Sequence, residues 1–275
     1  VDHIISDNHF LYAFVATGHR SGGFNLLAPT DNTAVGTVEP EDLLSYELGY
    51  KGSFLDNRVN FASAVYFYDY SDLQVLKSTA QSGVTVAVYE NAAEASAWGI
   101  ETEVIALLTE GLSVSGTYSY NDSEYEDFES LDSNACALGP QQEGRVLDPL
   151  CTDDLDLSGN VFPRSPDHKL SLNLTYEWEL LALDWRATTS YQYTGEQYTT
   201  AFNNDLYDFI DSWDRWDARL SVASPETTWE LTAFVKNIAD DREETGRARP
   251  STVSGLAASS LTDPRTYGLR FTYNF

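Results

Sequence analysis

The sequence predicts an all-β protein, an antiparallel up-and-down β-barrel that crosses a membrane. Three observations predict it. Apolar and polar residues alternate with a period of two in stretch after stretch, which gives about ten strands, most of about 10 residues. The connections between them take turns being short and long. Aromatic residues gather toward both ends of the strands.

In chain order, the first strand is expected at about 8–17. In "LSYELGYKGS", Leu44, Tyr46, Leu48 and Tyr50 oppose Ser45, Glu47, Gly49 and Lys51. A similar run covers 58–69. "WGIETEVIAL" sets Ile100, Val104 and Ala106 against Glu101, Glu103 and Ile105. "GLSVSGTYSYN" sets Leu112, Val114, Tyr118 and Tyr120 against Ser113, Ser115, Thr117 and Ser119. "HKLSLNLTYEW" opposes Leu170, Leu172, Leu174, Tyr176 and Trp178 to Ser171, Asn173, Thr175 and Glu177. "LDWRATTSYQYT" opposes Trp185, Ala187, Thr189, Tyr191 and Tyr193 to Asp184, Arg186, Thr188, Ser190 and Gln192. Runs at 214–223 and 227–237 follow, and "PRTYGLRFTYNF" ends the chain. Strands of this length suit a bilayer, which needs about 9–11 residues per crossing, better than a soluble sheet at about 5–6.

The short connections are 54–57, 109–111, 179–182 and 224–227; the long ones lie at about 19–42, 70–83, 122–166, 195–212 and 239–264. Strict alternation is the arrangement of an outer-membrane barrel, with short periplasmic turns and long extracellular loops. Trp178, Trp185 and Trp229 sit beside short turns, and Trp98, Trp213 and Trp216 toward long loops, with Tyr66, Tyr120 and Tyr193 in the same zone. Two such bands match interfacial aromatic girdles; rings filling a sandwich core are the plainer alternative. The face carrying Glu47, Lys51, Glu101, Glu103, Glu177, Asp184, Arg186, Asp217, Arg219 and Glu230 is assigned to the lumen. A basic charge on the lipid side would cost about 2–4 kcal/mol at the midplane, an acidic one less. The last strand follows a long loop, so it runs from outside to inside.

Composition excludes several classes. The formal net charge is −27, from 16 basic and 43 acidic residues, which argues against nucleic-acid binding. Aromatics at 13% argue against disorder. No apolar run approaches the roughly 20 residues of a membrane helix, a test that β-barrels escape. The chain holds no Met and starts at Val1, so a processed chain or a piece of a longer one is expected. Cys136 and Cys151 share a polar stretch, and a local disulfide is expected over two free thiols. Asp153, Asp154 and Asp156 precede Ser158, Gly159 and Asn160 in the order that starts a calcium loop. Ser165 stands where the bidentate Glu should be, so solvated negative charge is the simpler reading.

The stretches "LYAFVATGHRSGGFN" (11–25), "SYELGYKG" (45–52), "NFASAVYFYDYSDLQV" (60–75), "NAAEASAWGIETEV" (91–104), "FVKNIADD" (234–241) and "RTYGLRFTYNF" (265–275), in this order, resemble the C-terminal part of a TonB-dependent outer-membrane receptor. The resemblance implies a 22-stranded barrel around an N-terminal plug, of which these strands would be the last ten. An open sheet of ten would expose two unpaired edges to lipid, so the rest of the barrel and the plug are expected elsewhere. It implies residence in the bacterial outer membrane and import, energised by the TonB complex through the plug, of a ferric siderophore or else cobalamin or a glycan. No cofactor is implied. The substrate would bind at the outer mouth, where the candidates are Arg20, Tyr68, Arg145, Arg164, His168, Tyr198, Tyr207, Arg247 and Arg249, chosen because arginine and tyrosine suit anionic chelates. Each also reads as an ordinary solvated or girdle residue, and the loops are mostly acidic. The terminal residues Tyr267, Leu269, Phe271, Tyr273 and Phe275 resemble the assembly signal of such barrels.

Two rivals remain. A closed ten-stranded barrel would suit an omptin-type protease, with His19 and His168 near the rim; the chain has 4 His and no evident Asp–His cluster, so an enzyme is not expected. A passive pore would have the same charged lumen; a plug encoded upstream separates the two.

Overall fold

A computed structural model of the chain describes residues 1–25, 36–81, 84–132, 154–226, 228–249 and 257–274. Its elements are β1 (Asp2–Ser6), β2 (His9–Arg20), β3 (Gly23–Phe24), β4 (Thr37–Val38), β5 (Glu41–Phe54), β6 (Val59–Gln81), β7 (Val84–Thr109), β8 (Leu112–Ser130) and β9 (Leu155–Asp156). They continue with β10 (His168–Leu180), β11 (Leu183–Thr194), β12 (Gln197–Tyr198), β13 (Phe209–Ile210), β14 (Trp213–Ala223), β15 (Trp229–Lys236), β16 (Glu244–Ala248), β17 (Ala258–Leu261) and β18 (Thr266–Tyr273). One 12-stranded antiparallel sheet runs β1-β2-β5-β6-β7-β8-β10-β11-β14-β15-β18, with β9 off the path against β8. Each strand pairs with the next long strand in sequence, the up-and-down order that was expected. The barrel is not closed: β1 and β18 are its two edges.

Register separates the two faces row by row, because residues directly opposite in an antiparallel pair share a face. Phe54, Val59, Ala106, Val114, Leu174, Thr189, Ala218, Val235 and Tyr267 form one row across the sheet. All are apolar or aromatic but Thr189. Lys51, Ala62, Glu103, Thr117, Ser171, Gln192 and Arg215 form a row on the opposite face, each polar or small. Many of the outward apolar side chains lie open, including Leu48, Phe67, Leu174, Leu220 and Leu269. They are the surface that lipid covers.

The short turns are built from left-handed backbone. Leu55, Asp56 and Asn57 carry φ of 53°, 54° and 64°, and Leu181 and Ala182 carry 58° and 55°. Such turns match the right-handed strand twist. Gly111 has φ 89°, and a Cβ there would sit 2.2 Å from the Glu177 carbonyl oxygen, so only glycine fits.

The long connections correct the expected picture. The stretch 70–83, expected as a loop, is strand up to Gln81, paired with the start of β7. Its Ser and Asp residues read as loop, but Val75 and Thr79 and, across the pair, Val86 and Val88 favour extended backbone and complete a hairpin that rises past the upper aromatic band. Slips in register between Tyr70 and Gln74, beside Asp72 at φ 55°, adjust the hairpin there. β8 likewise continues through 122–130. Small ribbons β3–β4, β12–β13 and β16–β17 occupy three other long connections. The sheet also gains β1, which the sequence pattern did not single out.

Candidate functional site

At the long-loop end the molecule has a core of its own. Val75, Ala93, Ala95, Tyr125, Phe128 and Leu157 are buried together, and Tyr70, Leu73, Leu155, Phe162, Ala201 and Phe202 pack against them. The upper, inward faces of β6, β7 and β8 supply its floor. The segments 155–162 and 201–202 fold over it as a roof. The Asn160 side chain donates to the Ala201 carbonyl at 2.9 Å, and the Asn203 side chain both accepts from Val161 N at 2.7 Å and donates to its carbonyl at 3.1 Å. Two loops distant in sequence are thereby tied together.

A buried ion cluster ties a third. Arg249, beside the β16–β17 ribbon, donates to both Asp132 oxygens at 2.7 Å and to Asp208. The three side chains are 5%, 7% and 0% exposed, so the charges meet away from water. The guanidinium also lies 4.9 Å over the Phe202 ring. Asp208 accepts from Thr200 Oγ1 at 2.8 Å and from Asn204 N at 3.2 Å. Burial pulls the Arg249 pKa down, and the bonds to Asp208 and Asp132 outweigh it, so the group sits above its ordinary value. Arg247 donates to Glu244 and to the Leu206 carbonyl, the latter at 3.3 Å. The Arg247 hydrogen bond holds the Glu244 carboxyl below its usual range against the opposing effect of burial.

An aromatic ladder descends from this core along the inner face of β6. Tyr125 and Phe162 are 5.0 Å apart, Phe162 and Tyr70 6.1 Å, Tyr70 and Tyr68 6.5 Å, and Tyr68 and Tyr66 4.7 Å. Tyr66 donates to Asn121 Oδ1 at 2.9 Å. Below it the lumen wall carries Glu47, which accepts from Tyr12 at 2.7 Å, and Lys51, 5.7 Å over the Tyr12 ring. Across the trough stand Arg215 and Asp217, 3.3 Å apart.

The sequence candidates scatter over this arrangement. Tyr68 lies in the ladder. Arg247 and Arg249 bind loops to one another instead of facing outward. Tyr198 donates to Asp205 at 2.8 Å and packs against Phe209, and burial first, then that bond, raises its pKa. Arg20 is half exposed and 3.8 Å from Glu41. Arg164 is exposed, with φ 57° and its N–H on the Tyr198 carbonyl. Tyr207 is half-buried in the turn before β13. His168 sits at the rim on the outward face, 2.9 Å from the Tyr118 hydroxyl, which removes it from the mouth; its register opposite Tyr120 fixes that side. His19, on β2, stands outward opposite Asp42, with β5, β6, β7 and β8 between it and His168 on β10, so the two rim histidines do not meet. Trp213 and Tyr66, expected in the outer girdle, face the lumen because they share rows with Thr194 and Gly99. Asp154 is 2.9 Å from Lys77, and Asp156 accepts from Ser158, which lowers its pKa. Arg145, Cys136, Cys151, Asp153 and Phe275 lie outside the described residues. Tyr267, Leu269, Phe271 and Tyr273 all face outward on β18.

Pattern reading missed Asp132, Asp208 and Phe202, which carry no local signal. The alternating tyrosines of "VYFYDY" share one face, a signal from which the ladder could have been found.

A strand-only sheet, apolar outside and polar inside, with tight turns at one end and folded loops at the other, is the wall of an outer-membrane β-barrel. The family described as "TonB dependent receptor-like, beta-barrel" matches residues 2–238, and the chain belongs to it. A probable TonB-dependent siderophore receptor, PiuA of Acinetobacter baumannii, is 25% identical over 176 residues, covering 62% of this chain and 21% of the relative. The ferric yersiniabactin uptake receptor FyuA of Yersinia pestis superposes with a TM-score of 0.75 at 19% identity, over 100% of this chain and 36% of that one. The crystal structure of PiuA gives a TM-score of 0.67 at 20% identity, over 97% and 34%. The chain thus spans about a fifth of the curated relative's length and about a third of the solved receptors, and it forms part of such a barrel.

Proposed function

We propose that the chain forms the C-terminal part of an outer-membrane receptor that imports a scarce nutrient, a ferric siderophore, with energy supplied through TonB. The observation that carries this reading is the similarity to a siderophore receptor across 62% of the chain. The roofed, ladder-lined mouth supports it, because ligand capture needs loops held in place. The polar inner wall, with Glu47, Glu101, Arg215 and Arg219, suits a plug domain encoded upstream of Val1, which would carry the coupling segment.

Uptake of radio-iron chelates by cells expressing the full receptor, with and without TonB, tests this. The expected result is accumulation that needs both proteins. Uptake that persists without TonB contradicts the reading in favour of a pore. Uptake of cobalamin or an oligosaccharide, with none of iron, contradicts the substrate.

A further inference from the structure

We propose that this mouth takes an uncharged or cationic chelate bearing an aromatic ring, held by stacking on Tyr68 and Tyr70, and repels anionic chelates. The proposal rests on the import reading above and narrows its substrate.

Two independent observations lead to it. The first is the state of the cations among the described residues. An anionic chelate is held by guanidinium groups free to form charge-assisted hydrogen bonds. Here Arg249 is enclosed by Asp132 and Asp208, and Arg247 is bound to Glu244. Lys77 meets Asp154 at 2.9 Å, Arg265 meets Asp240 at 3.6 Å, and Arg20 lies 3.8 Å from Glu41. Arg164, Lys169, Lys236 and Arg242 are exposed, but Asp72, Glu126, Glu196, Asp205, Asp211 and Asp241 are exposed at the same end and outnumber them. An acidic field of this kind slows the approach of anions and speeds that of cations, with an effect that falls as salt rises.

The second observation is the ladder. Tyr66, Tyr68 and Tyr70 present half-buried rings at alternate positions on the inner wall. The ladder's upper end is closed inside the loop core by Phe162, Tyr125 and Phe128. Its lower part lines the lumen. Tyr66 and Tyr68 stack and Tyr70 stands edge-on to Tyr68, so the wall offers a planar ligand ring faces and edges without requiring any charge on it.

The test uses the full receptor in outer-membrane vesicles and three size-matched ferric chelates carrying one phenyl ring: monocationic, uncharged and trianionic. Binding is read by tryptophan fluorescence at low and high ionic strength. The expected result is binding of the first two, with an association rate for the cation that falls as salt rises. Tyr68→Leu should weaken the uncharged ring-bearing chelate about fivefold and leave its ring-free analogue unchanged, while Tyr68→Phe restores binding. Tightest binding by the trianion, or equal affinity of wild type and Tyr68→Leu for the ring-bearing chelate, overturns the proposal and leaves iron import standing. Binding of none of the three overturns the proposal, and the import reading is then decided by TonB-dependent iron uptake alone.

Discussion

The membrane zone of the sheet and the cap above it are held together by different physics. In the zone, each strand satisfies its backbone through its neighbours, and the apolar side chains point away from the protein. Rows such as Val114, Leu174 and Ala218 meet lipid, and the inner rows meet the lumen. Nothing there resembles a folded core. In the cap, Tyr125, Phe128 and Leu157 are buried as in a soluble domain, and Arg249, Asp132 and Asp208 form a desolvated cluster. The zone takes its stability from the solvent it sits in; the cap carries its own. The two regions should therefore fail independently.

Arg249→Ala should break the comparison hardest. It leaves two buried carboxylates without their cation, at a cost of about 3–5 kcal/mol. Hydrogen exchange in the full receptor should rise sharply at 199–210 and 129–132 and stay unchanged in β10 and β11. Leu174→Arg attacks the other region. It should cost about 2–4 kcal/mol in bilayer unfolding and leave exchange in the cap untouched. Acid should loosen the cap first. The Glu244 carboxyl is held below its ordinary value of 4.5, so its contribution is complete above that value and is lost as pH falls through the lower folded one. Exchange in β16 and β17 should rise in that window and be insensitive to it in Glu244→Gln. Arg186→Ala should do least. Its 2.6 Å bond to Glu177 joins two side chains each more than half exposed, which is worth at most about 1 kcal/mol.

How much of each region could be read from the sequence follows from the same contrast. The zone was legible because a bilayer imposes one rule on every strand. The faces of "HKLSLNLTYEW" and "RTYGLRFTYNF" were assigned from alternation alone, and the pairings agree. The cap was not. Asp132, Asp208 and Arg249 lie in three separate loops, and no local pattern marks two acids and a base that meet across 117 and 41 positions. Arg249 looked like a ligand group because an exposed-loop arginine and a buried one read alike. Height along the strand puts Tyr66 and Trp213 in the girdle, but their position in the two-residue alternation decides the side. The strand extension of β6 up to Gln81 escapes the pattern for another reason: outside the membrane, strands can carry polar residues on both faces.

The assignment of faces is tested most directly by placing nitroxide labels one at a time at 169–176 in the full receptor in a bilayer. Labels at positions 170, 172, 174 and 176 should be open to oxygen and closed to a water-soluble relaxation agent. Those at 169, 171, 173 and 175 should be shielded from the lipid-borne oxygen. The reverse phase, or no alternation at all, would contradict a wall with lipid on one side and lumen on the other.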